Sequence, residues 1–206
     1  MRIVGSAMIL SYVLSHKRSH QLPHNSLTAT VGICSGFFIA GIYSIIQLLI
    51  PTGMPLWPHY EALGYTLPLV ANLSQTISYY TQLTVTFSLL FILIDTATEQ
   101  WQKHCLFFTG FMTAYGMLTI HLPSLDMVGI WIITSALFGW TLLGMYRFII
   151  RYDYALIPLA TSGPTLLYIA QEGIFNAYPG ALVYACINAC IIGIITILWY
   201  QQIQKN

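Results

Sequence analysis

The chain has 206 residues, of which 57% are hydrophobic and 6% charged, and its mean hydropathy is +0.71. Soluble domains carry about 25% charged residues, so this composition cannot cover a water-facing surface but suits a lipid-facing one. A net charge of +1 leaves too few Lys and Arg to replace phosphate counterions, which excludes nucleic acid as a partner.

The first apolar stretch, residues 3–14, follows Arg2 and is closed by His16, Lys17 and Arg18. It lacks the small-residue cleavage site of a signal peptide. It reads as a short or tilted first span, or as a helix truncated at its N-terminus. His16, His20 and His24 are spaced by four, but Pro23 interrupts their face and a solvated basic loop is expected.

Six segments then have the length of about 20 mostly apolar residues that a spanning helix needs. They are residues 28–50, 67–94, 104–122, 127–150, 154–171 and 178–200. In the first, Gly32, Gly36, Ala40 and Ser44 repeat every four residues and form a small-residue ridge suited to close helix packing. The connection 51–66 carries Pro51, Pro55 and Pro58, with Trp57, Tyr60 and Tyr65 suited to the membrane interface.

The second segment is the most distinctive. Asn72, Gln75, Tyr79, Gln82 and Thr86 recur at spacings of three and four and form one polar stripe. Thr76, Ser78, Thr81 and Thr84 add hydroxyls around it. In lipid such groups require partners in neighbouring helices or in a water-filled cavity. The stripe therefore predicts either interhelical hydrogen bonding or a lined path for a small polar, uncharged solute.

The third segment ends on His121 near Asp126, a lone interfacial histidine rather than a metal site. In the fifth, Pro158 and Pro164 are expected to kink or break the helix. In the sixth, Ala181, Ala185, Ala189 and Gly193 form a second small-residue ridge, closed by Trp199 and Tyr200. Both ridges predict contacts within the chain, or a homodimer.

The charges orient these spans. Lys17, Arg18, Lys103, Arg147, Arg151 and Lys205 all fall on one side of an alternating topology, while Glu61, Asp126 and Glu172 fall on the other. Basic connections stay cytoplasmic, so the expectation is a multi-pass inner-membrane protein with a cytoplasmic C-terminus.

Every Asp, Glu, Lys and Arg maps to a helix end or a connection. That pattern argues against an intramembrane proton relay, a voltage sensor or paired-carboxylate catalysis. Cys34, Cys105, Cys186 and Cys190 lack zinc spacing and read as packing residues. No nucleophile–base pair, phosphate loop or dinucleotide fingerprint is present. No catalytic, metal-binding or cofactor-binding residue is therefore expected.

From about residue 107 to 158 the cadence Tyr115-Gly116, His121-Leu122-Pro123, Gly139-Trp140, Gly144, Arg151-Tyr152 and Leu156-Ile157-Pro158 resembles the CAAX-protease and bacteriocin-processing family of intramembrane proteins. The paired glutamates of that family are absent: Glu99, Gln100 and His104 lie in a connection on the face opposite His121. Its later His and Asn would fall near Thr161 and Thr165. The resemblance thus implies a non-catalytic relative, or a membrane region that flanks such domains.

The fold class expected is an all-α polytopic transmembrane bundle, a single membrane domain over 1–206. The functional expectation is a structural or accessory subunit acting through helix contacts with another membrane subunit. The alternative is a transporter or binding component for a small polar solute.

Overall fold

The computed structural model describes residues 26–49, 68–99, 102–120, 125–175 and 180–205. The 3–14 stretch, the His16–His24 run, the 51–66 connection and His121 lie outside the described residues.

All regular structure among the described residues is helical. Helix α1 spans Ser26–Leu49, α2 Pro68–Ala97, α3 Cys105–Thr119, α4 Val128–Met145, α5 Ile157–Phe175 and α6 Ala181–Lys205. A π turn over Tyr146–Ile150 prolongs α4, closed by the amide of Arg151 on the carbonyl of Tyr146 at 2.9 Å. A short 3-10 turn, Tyr154–Leu156, leads into α5, and the Asp153 side chain accepts from the amide of Ala155 at 2.9 Å to cap it. Each of the six long apolar segments read from the sequence contains a helix.

Four of them contain stretches long and apolar enough to cross a membrane: Thr28–Ile46, Val70–Ala97, Val128–Ile150 and Ala181–Ile203. Helix α3 is apolar but has only 15 residues, about 22 Å at 1.5 Å per residue. Helix α5 is not among the four, because hydroxyls, two prolines and the Gln171-Glu172 pair dilute its apolar run.

That hydroxyl- and proline-containing helix is the centre of the bundle. Helix α5 packs against α1, α6 and α2, while α3 and α4 form an antiparallel hairpin that joins the rest through α1. Every residue from Tyr154 to Gly163 is buried. Conversely, large apolar side chains such as Phe38, Leu118, Ile133, Phe148 and Leu198 stand exposed on the peripheral helices. A water-soluble bundle would reverse this arrangement. A bundle surrounded by lipid keeps its apolar residues outside, because lipid tails solvate them as well as the protein does.

Close packing depends on missing side chains. A Cβ at Gly36 would fall on the carbonyl of Ala160, and one at Gly163 on the backbone of Gly36. Thus α1 and α5 cross backbone to backbone at the small ridge. Pro164 has no N–H to donate to the Ala160 carbonyl; the helix nevertheless runs unbroken from Ile157 to Phe175 instead of ending there. Pro158 sits in the first turn, where a missing amide is harmless.

Between α3 and α4, Gly116 meets the carbonyl of Ser135 and Gly139 that of Met112. Trp131 Nε1 donates to the carbonyl of Ile120 at 2.6 Å, and Trp140 Nε1 to Thr113 Oγ1 at 3.1 Å. The second ridge is used at its start, where Gly173 of α5 fits against Ala185. Its far member, Gly193, has nothing within 4 Å of the Cβ position.

Candidate functional site

Helix α2 tolerates its many hydroxyls because most bond to its own backbone. Thr76, Thr81, Thr84 and Ser88 each donate to the carbonyl four residues earlier, at 2.7–2.9 Å. Such back-bonding satisfies a hydroxyl in an apolar medium without water. The inward face of the helix is Thr76, Tyr80, Thr84, Phe87, Ser88, Phe91 and Ile94, all buried.

Three helices are knotted there. Thr196 of α6 donates to the Tyr80 hydroxyl at 3.0 Å, which donates in turn to the carbonyl of Pro158 at 3.2 Å. Thr84 and Thr161 share a hydrogen bond of 2.8 Å. Each link is modest by itself, but all bridge different helices in a low-dielectric interior.

The polar stripe turns the other way. Gln75 and Gln82 are exposed, Asn72 and Thr86 half-buried, and Tyr79 is 36% exposed. Of the five, Tyr79 lines the cavity between α1, α2, α3, α4 and α5. Among the described residues the buried face of α2 lies one residue further along: Thr76, Tyr80 and Thr84 instead of Gln75, Tyr79 and Gln82.

The cavity lies between α1, α2, α3, α4 and α5 and encloses about 410 Å³. Ile39, Ala40, Leu83, Phe87, Phe138 and Pro164 form its apolar part, and Tyr43, Tyr79, Tyr115, Thr119, Tyr168 and Gln171 its polar part. The rings of Tyr79 and Tyr168 stack at 4.8 Å between centroids, and Tyr43 leans on Phe138 at 5.7 Å. No feature of the sequence pattern marks Tyr43, Tyr115 or Tyr168 as lining a cavity. The available signal is that each lies in the C-terminal half of an odd-numbered helix, so that antiparallel packing brings them to one level.

At the opposite end of the bundle stands a buried carboxylate. Asp95, 5% exposed, accepts from the Tyr146 hydroxyl at 2.8 Å, and Tyr146 in turn stacks on Phe91 at 6.0 Å. Tyr154 is buried close by. Asp95 stands at a helix end, in the last turn of α2, yet it is buried and still within the apolar stretch Val70–Ala97. The helix continues a turn past Ile94, and the π turn after α4 brings Tyr146 onto the carboxylate. The outer ion pair of the same region, Lys103 with Glu99 at 2.9 Å, is exposed on both sides and contributes little.

All four cysteines are free, and Cys186 and Cys190 stand on the exposed face of α6. Among the described residues no three His, Cys, Asp or Glu side chains gather in one place. Gly116 and Gly139, two positions of the protease-like cadence, serve as the contact points of the α3–α4 hairpin. Compared with known proteins, the chain matches no family model, no curated protein and no solved structure.

Proposed function

We propose that this chain is a multi-pass inner-membrane protein that works as a non-catalytic accessory subunit, holding a partner through lateral contacts of its helices. The observation that carries this reading is the outward placement of Gln75 and Gln82 on an apolar span. Gln82 lies 12 residues beyond Val70, about 18 Å along the helix. That is too deep for its amide to reach the headgroups. An amide facing hydrocarbon is costly to leave unpaired, and a partner helix offering donors and acceptors removes the cost. Being both donor and acceptor, the amide pairs equally with another subunit or with a second copy.

The same proposal includes six spans, with the short α3 tilted little and α5 shielded from lipid by its neighbours. Lys103, Arg147 and Arg151 belong to the end of the bundle where α2 finishes and α5 begins, and the contact of Asp95 with Tyr146 joins these two corners. This supports a single basic side and, by the positive-inside rule, a cytoplasmic C-terminus.

A photoreactive amino acid at position 78, between the two glutamines, tests the reading in intact membranes. The expected product is one protein–protein adduct of fixed mass, lost in Gln75→Leu/Gln82→Leu while the isolated chain keeps its thermal transition. Adducts with lipid alone would overturn it. An adduct of twice the chain mass would identify the partner as a second copy.

A further inference from the structure

The geometry points to the five-helix cavity as a binding site for a neutral amphiphile, a molecule with a hydroxyl-bearing head and a short apolar tail. The volume of about 410 Å³ lies within the range of small-molecule pockets, which are mostly apolar with a few placed polar groups. Its two ends differ in kind. Phe87 and Phe138, 3% and 5% exposed, close the apolar end, whereas Gln171 and Tyr79 at the polar end are exposed. A ligand therefore enters tail first and leaves its head among Tyr79, Thr119, Tyr168 and Gln171.

The chemistry of those groups fixes the class. Phenol, hydroxyl and amide both donate and accept hydrogen bonds, as a neutral hydroxylated head requires. Among the described residues no charged side chain lines the cavity, so a carboxylate, phosphate or ammonium group would lose its hydration with no opposite charge there to replace it. A sugar or other fully polar solute is disfavoured at the closed end, where Ile39, Leu83, Phe87 and Phe138 present hydrocarbon alone. This site is separate from the outward amides of α2, and its occupancy does not depend on a protein partner.

The test uses 1-decanoylglycerol carrying a diazirine in its acyl chain, with the full chain in phosphatidylcholine nanodiscs. The expected result is saturable labelling that maps to the α2 and α5 peptides around Leu83, Phe87 and Leu167. Unlabelled 1-decanoylglycerol competes, and decanoate or decyltrimethylammonium at the same concentration does not. Ala40→Phe, which fills the cavity, abolishes the saturable part. Tyr79→Phe/Gln171→Leu keeps the volume and weakens competition about fivefold or more, the equivalent of roughly one hydrogen bond. Labelling that does not saturate, equal competition by decanoate, or saturable labelling unchanged in the Tyr79→Phe/Gln171→Leu protein would each overturn the assignment. The last of these decides the matter even if Ala40→Phe fails to fold.

Discussion

Helices α5 and α6 lie side by side, yet their compositions and burial run in opposite directions. Helix α6 contains the most apolar of the four long spans, and only 28% of that stretch is buried. Helix α5, with Thr161, Ser162, Gly163, Pro164 and Thr165 in its middle, is buried almost throughout its first half. In water, burial follows apolarity because removing hydrocarbon from water is the main driving force. In lipid that force vanishes between helices, and what selects the inner helix is closeness of approach and hydrogen bonding. A helix rich in small and hydroxyl side chains, and not the most apolar one, therefore takes the centre.

The strongest way to break this contrast is to add bulk where α5 meets α1. Gly36→Leu or Gly163→Leu places atoms on facing backbone and should cost about 3 kcal/mol or more. It should be seen as loss of a monodisperse peak and of the thermal transition in nanodiscs. Gly193→Leu, made in open space on α6, should leave both unchanged. If Gly193→Leu proved equally damaging, the division between a packed α5 and a lipid-facing α6 would be wrong.

A smaller effect is expected at the carboxylate. Asp95→Ala removes the acceptor of the buried Tyr146 hydroxyl, a loss of about 1–3 kcal/mol measurable by unfolding in graded SDS mixtures. Asp95→Asn retains an acceptor oxygen and should recover part of it. Next comes the knot. A double-mutant cycle with Thr84→Val and Thr161→Val should give a coupling of about 0.6 kcal/mol, with roughly 1.7 as the upper end for such bonds in membranes. The smallest change is expected outside. Leu198→Ala and Ile194→Ala trim exposed side chains of α6, and each should stay within about 0.5 kcal/mol of the parent. A large loss at either would show that this face packs on protein instead of lipid.

Much of the bundle was legible in the residues. The helical segments, the Gly32–Gly36–Ala40 ridge and the hydroxyl-rich character of α2 all follow from local composition and spacing. Gly32, Gly36 and Ala40 share one side of α1 because a four-residue period places them on one stripe whatever the partner. The stripe of Asn72, Gln75, Tyr79, Gln82 and Thr86 was equally regular, but regularity defines a face without saying where it points. Tyr80 and Thr84 sit one residue along and form an equally consistent row. The contacts of α5 and α6 made that row the inner one. Likewise, α5 continues through Pro164 because packing on α1 holds the turn that proline alone would weaken.

The apolar excess and the near absence of charge by themselves determined that this chain forms long apolar helices compatible with a membrane, since so few charged groups are far below what a water-facing surface carries. Only the tertiary structure decided which helix is central, which row of α2 is buried, and that tyrosines from four helices meet around one cavity. Those outcomes depend on the angular position of each helix about its own axis. In a chain where inside and outside are both apolar, that angle is set by backbone contacts at glycine and by hydrogen bonds between distant hydroxyls, which no local pattern of hydrophobicity records.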